Sequence, residues 1–88
     1  MRFIWDYDNL THIARHGISL EEVEQVLGGV TMEVEAQDWH FEERFSEVGA
    51  TAAGRFLLIH STWRNGAIRV VTAYDATRKS IEEYLKRR

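Results

Sequence analysis

His60 is the side chain best suited to proton transfer in this 88-residue sequence. A neutral imidazole near its unperturbed pKa can act as acid or base. Its neighbours give it a context. Asn65-Gly66 is the preferred dipeptide of a two-residue type I′ hairpin, and β-rich runs flank it at 55–64 and 67–74. With that loop, Arg64 faces Ala67, Trp63 faces Ile68 and Thr62 faces Arg69. Ser61 then faces Val70, and His60 faces Val71. Alternation puts His60, Thr62, Arg64 and Arg69 on one face. Leu57, Ile59, Trp63, Ile68 and Val70 take the other, the better core face. Two guanidiniums, a hydroxyl and an imidazole on one face suit a phosphate. A register slip of one residue scatters the set. The plainer reading of His60 is a half-buried strand histidine bonded to a neighbour.

Other groups are less telling. His12 and His16 stand four apart, a spacing that can hold one metal ion on a helix. A third ligand would have to come from afar and there is no HExxH pattern. The pair reads as one surface and one helix-end histidine, and neither metal nor other cofactor is expected. Glu42-Glu43-Arg44 is either a solvated charge run or a carboxylate and a guanidinium beside the hairpin face. Trp5, Trp39 and Trp63 read as core or interface, with Trp39 the most exposed. The glycines match no phosphate-binding loop.

The elements that position these residues follow from period and punctuation. Residues 2–6 read as a short strand. Asp6 or Asp8 caps a helix carrying Leu10, Ile13 and Ala14, which stops at Gly17. Ser19 and Glu22 form a capping box, with Ile18 stapled to Val23. Leu20, Val23, Val26 and Leu27 are the buried stripe of that second helix, and Gly28-Gly29 ends it. Alternation marks strands at 30–35 and, less cleanly, 41–48. A last helix runs from about Thr77 to Arg87, with Ile81, Tyr84 and Leu85 apolar. The order β-α-α-β-β-β-β-α predicts an α+β fold, a predominantly antiparallel sheet with helices packed on it, in a single domain over 1–88.

Composition narrows the class. The chain is too short for two domains or for a large cofactor fold. It has no cysteine, hence no disulfide or thiol chemistry. No leader-like h-region and no long apolar run are visible, so a cytoplasmic protein without membrane attachment is expected. The net charge of −3 conceals an asymmetry: residues 1–60 hold 4 basic and 11 acidic residues, and residues 61–88 hold 7 and 3. The acidic part reads as a solvated face or a docking surface for a basic partner. The basic part ends in a helix carrying Arg78, Lys79, Lys86, Arg87 and Arg88, a candidate nucleic-acid contact.

An ordered set of motifs resembles the BrnT family of type II toxin–antitoxin ribonucleases. It runs Ile4-Trp5-Asp6 with Asn9, then Arg15-His16-Gly17-Ile18-Ser19 with Glu22 and Val26. Glu43-Arg44 and Gly49 follow, then Ile68 to Ala73, Ala76-Thr77-Arg78 and Tyr84. The resemblance implies a RelE-like fold and metal-independent cleavage of RNA that inhibits growth. It implies a cognate ribbon-helix-helix antitoxin through which alone operator DNA is bound, and it allows a homodimer within that complex. Glu43, Arg44, Arg64 and Arg69 match charged positions of the family. Glu43 or His60 would be the base, Arg64 and Arg69 would supply charge, and Arg44 would orient the backbone or Glu43. Arg78, Lys79 and Lys86 would contact RNA. Tyr74 stands where the family has an arginine. It can donate a hydrogen bond but cannot neutralise charge. A second reading is therefore a catalytically weakened homologue that serves as an antitoxin-binding module.

Overall fold

Capping chemistry sets where the first two helices begin. In the computed structural model, which describes residues 1–34 and 44–87, α1 (Tyr7–Arg15) starts at Asp6. The Asp6 carboxylate accepts the Asn9 backbone N–H, and the Asn9 side chain accepts the Asp6 N–H in return. α2 (Leu20–Leu27) starts at Ser19 through the same reciprocal arrangement with Glu22. Both satisfy otherwise orphaned helix donors. Gly17 ends α1 at φ +69°, a conformation that costs glycine little. Its N–H reaches Ala14 and that of Ile18 reaches Ile13, the paired bonds of a Schellman cap.

Among the described residues, five strands form one sheet in the order β1-β5-β4-β3-β2. They are β1 (Phe3–Ile4), β2 (Met32–Val34), β3 (Phe45–Ala50), β4 (Phe56–Arg64) and β5 (Ala67–Asp75), and α3 (Arg78–Arg87) closes the chain. Only β1 and β5 pair in parallel; the other neighbours are antiparallel. The architecture is the expected α+β. The sequence-predicted strand over 41–48 appears as 45–50, and residues 41–43 lie outside the described residues.

Alternation gives the sheet two apolar faces. α1 and α2 cover Leu57, Ile59, Val70 and Ala73 with Ile13, Ile18, Val23 and Val26. A smaller cluster on the other face joins Met32 and Val48 to Tyr84 of α3. Asn9 is polar yet buried. Its amide donates to the carbonyls of Ile4 and Val70, tying α1 to the β1–β5 edge. Gly49 admits α2 to the sheet, since a Cβ there would lie 2.9 Å from Val26 Cγ1. Trp63 is a correction: the core position expected for it is 59% exposed, because it lies near the hairpin tip. Leu85, expected among the apolar positions of the last helix, is also exposed, as is Val30 ahead of β2. Among the described residues no helix is long and apolar enough to cross a membrane.

Candidate functional site

The β4–β5 hairpin turns as the sequence predicts. Asn65 and Gly66 both have positive φ, as a type I′ turn requires. Arg64 pairs with Ala67, Trp63 with Ile68, Thr62 with Arg69 and Ser61 with Val70. The expected pairing of His60 with Val71 does not form. A bulge shifts the register, so His60 pairs with Thr72 and Leu58 with Tyr74. The extra residue lets Val70 and Ala73, three apart, both enter the α1–α2 core. It also decides where Tyr74 points. In an unbroken ladder Tyr74 would oppose Leu57 and share its buried face. The bulge moves it to the face of Leu58 and His60.

A hydrogen-bonded row crosses that face. Ser46 pairs with His60 across β3 and β4. Its Oγ lies 2.7 Å from His60 Nδ1, and His60 Nε2 lies 2.7 Å from the Tyr74 hydroxyl. Ser46 is buried, and the other two are half-buried. Burial first, and the positive charge of Arg44 second, hold the His60 pKa below its ordinary value. The ring is therefore neutral at pH 7, with one donor and one acceptor nitrogen. With the proton on Nε2, Ser46 donates to Nδ1 and Nε2–H donates to Tyr74. The phenolic hydrogen is then free for a group in front of the tyrosine.

In front of Tyr74 opens a cleft of about 480 Å³. α1 and its cap line it with His12, Arg15 and His16; β5 gives Val71, Thr72 and Tyr74; Arg44 enters ahead of β3. His16 is the C-cap of α1, and its ring meets Tyr74 edge-on at 5.7 Å. Arg55 steadies this corner. It donates to the carbonyls of Gly17 at 2.9 Å and His16 at 3.3 Å. It also pairs with Asp75 at 2.8 Å and Glu22 at 3.2 Å. The Asp75 carboxyl is held below its usual range chiefly by its bond from Arg55. That of Glu22 is lowered first by the Ser19 backbone and then by Arg55.

Of the residues expected from sequence, Arg44, His60 and Tyr74 come together here. Arg69 goes elsewhere, its Nη2 lying 3.0 Å from Asp6 Oδ2 at the start of α1. The Asp6 carboxyl is held low by the Asn9 backbone N–H and secondarily by Arg69. Arg64 is exposed at the turn, four residues and so roughly 13 Å along the strand from His60. Thr62 is buried. Arg78, Lys79 and Lys86 are exposed on α3, the first two in its first turn. Glu43 lies outside the described residues, as do Trp39 and Glu42. Sequence reasoning missed Ser46, Arg15 and the cleft position of His12 and His16. The spacing of 12, 15 and 16 on one helix face was the available signal. Among the described residues no cluster of three metal-ligating side chains occurs.

The cleft residues all fall within one family match. The family described as the ribonuclease toxin, BrnT, of type II toxin–antitoxin systems matches residues 5–80. The chain belongs to the BrnT family. Membership makes it a ribonuclease toxin of a type II pair, whose partner is an antitoxin. Comparison with curated proteins finds no match.

Proposed function

We propose that the chain cleaves RNA without a metal ion, by attack of a ribose 2′-OH on the adjacent phosphorus, in the cleft before Tyr74. The observation that carries this is the Ser46–His60–Tyr74 row, which ends in a cleft flanked by Arg15 and Arg44. The 2′-oxygen forms its bond to phosphorus as its proton passes to a base. The bond to the 5′-oxygen breaks as Tyr74 gives that oxygen a proton. The hydrogen bond from His60 Nε2 stabilises the phenolate left on Tyr74, and Ser46 fixes the ring that supplies it. Arg15 and Arg44 offset the charge that grows on the phosphoryl oxygens. His16, beside Tyr74, is the base; of the sequence-derived candidates Glu43 and His60, His60 is engaged on both ring nitrogens by Ser46 and Tyr74, and Glu43 stays the rival. Arg69 holds Asp6, and Arg64 with Arg78, Lys79 and Lys86 guides the RNA by long-range attraction.

The biological reading extends this chemistry. The chain acts in the cytoplasm and arrests growth. Its antitoxin is of the ribbon-helix-helix type and carries the pair to operator DNA.

The test is cleavage of an end-labelled RNA by purified chain in excess EDTA. Products with 2′,3′-cyclic phosphate and 5′-hydroxyl ends are expected. A hydrolytic 3′-hydroxyl end, or loss of activity in EDTA, overturns the mechanism. His16→Asn beside Glu43→Gln tells which residue is the base. A folded parent chain that leaves RNA intact but binds its antitoxin favours the binding-module reading, which the missing arginine at position 74 suggests.

A further inference from the structure

The face of the sheet opposite the cleft carries a second groove, of about 320 Å³. Phe45, Glu47 and Trp63 line it with Glu33 and Ile68. Phe45 and Glu47 alternate with Ser46 along β3, so they project away from the His60 row. Trp63, three residues beyond His60, does the same.

Two features of this groove are incomplete among the described residues. Glu33 and Glu47 are direct partners across β2 and β3. Like charges placed so destabilise a sheet. Glu47 accepts the Thr31 hydroxyl at 2.6 Å, but no ion pair joins either carboxylate to a described residue. Further along the same groove, four residues and so roughly 13 Å along β4 from Ile59, the partner of Glu47, the Trp63 indole is 59% exposed. A partner cation would relieve the carboxylates, while an apolar or aromatic neighbour of that cation on the same segment would cover the indole further along the groove. Ile68 and Phe45 offer apolar contact to its neighbours. Tryptophan is among the residues enriched in interface hot spots.

We propose that this groove is the docking site for a basic segment of the antitoxin, an arginine or lysine flanked by apolar residues. The proposal rests on the family's antitoxin partnership. It places the docking contact on the face away from the cleft. The partner's cation sits between Glu33 and Glu47, and an apolar neighbour of it on the same segment covers Trp63.

The test titrates the co-encoded antitoxin into the parent chain, into a Glu33→Gln/Glu47→Gln double variant and into Trp63→Ala. The amide that Glu47→Gln introduces keeps an oxygen for Thr31, so the hydroxyl contact survives. Both variants are expected to weaken binding by about tenfold or more, as hot-spot truncations do. The double variant also flattens the dependence of Kd on salt. Both variants should still cleave RNA at the parent rate, which shows that they are folded. Should either variant lose that activity, Glu33→Gln alone, a change at an exposed position, carries the test. Unchanged Kd in every folded variant overturns the groove but leaves the antitoxin partnership standing. No binding by the parent chain overturns both. A parent chain that dimerises by itself, and is made monomeric by the double variant, overturns the proposal in favour of a second copy as occupant.

Discussion

Replacing Tyr74 with phenylalanine removes one oxygen and little else. The ring keeps its edge contact with His16 at 5.7 Å and its tilted contact with His60 at 5.5 Å. What disappears is the 2.7 Å bond to His60 Nε2. That nitrogen is half-buried, so losing its partner costs about 1–2 kcal/mol, between a typical net hydrogen bond and a buried orphan. For a domain this small, about 1 kcal/mol lowers Tm by roughly 4–8 °C. The fold therefore survives, and cleavage can be read at about 20 °C, well below the roughly 45–65 °C melting range of typical domains even after that shift. The proposed role of Tyr74, proton donor to the leaving oxygen, predicts a loss on the order of 10²–10⁴ in rate. The assay is single-turnover cleavage of a fluorophore-labelled RNA, with a melting curve on the same preparation. Cleavage within about threefold of the parent, well below the range for an acid catalyst, refutes the donor role. Normal stability with normal cleavage refutes the hydrogen-bonded row as well.

Three further outcomes follow from the packing and the charges. Arg69→Ala removes the Asp6 contact at the start of α1; it should lower Tm while the folded protein cleaves within a few-fold of the parent, against the expectation of a transition-state arginine losing about 10²–10³. Gly49→Ala forces a Cβ to within 2.9 Å of buried Val26 Cγ1 and 3.2 Å of the Val30 carbonyl, and denaturant titration should show a loss of about 1–3 kcal/mol. On acidification the unfolded His60 binds its proton before the folded one, whose pKa is depressed, so stability present above about pH 6.5 drains away below it. Asp6, Glu22 and Asp75 have depressed carboxyl pKa values, and their contribution is lost only below about pH 4. Melting curves should thus fall in two stages, and His60→Gln should flatten the upper one.

The parts of the fold that were legible are those written in local chemistry. Ser19 with Glu22, Gly17 after a helix, and Asn65-Gly66 between β-rich runs each specify geometry within a few residues. The site was less legible because it depends on one inserted residue. Ile68, Val70, Val71 and Ala73 are all apolar, so either Val70 or Val71 could begin a new alternation. Nothing local selects the bulge. The choice is made by the core, where Val70 and Ala73 both pack under Ile13 and Val23. A ladder counted from the turn is therefore right to Ser61 and wrong beyond it. Trp63 misled for a related reason: alternation assigns a face, but α1 and α2 do not reach the hairpin tip. Arg55 carried no motif at all, and its partners Glu22 and Asp75 are distant in sequence.

The bulge also bears on Tyr74, where the family resemblance leads one to expect an arginine. By motif, restoring an arginine at position 74 reads as a repair. The geometry predicts otherwise. His60 Nε2 lies 2.7 Å from an oxygen that accepts or donates, whereas a guanidinium has donors only. With Ser46 on Nδ1, a neutral His60 facing a guanidinium at position 74 would have to turn its acceptor nitrogen outward and let Ser46 accept. A second cation beside Arg44 would depress the His60 pKa further. The added positive charge would aid phosphate binding, yet the proton donor would be gone. Tyr74→Arg should therefore bind RNA more tightly at low salt, with a slope steeper by about one phosphate contact. Its single-turnover cleavage should stay at the level of Tyr74→Phe. Cleavage at or above the parent rate would show that charge at this position, and not a phenolic proton supported by His60, is what the chemistry requires.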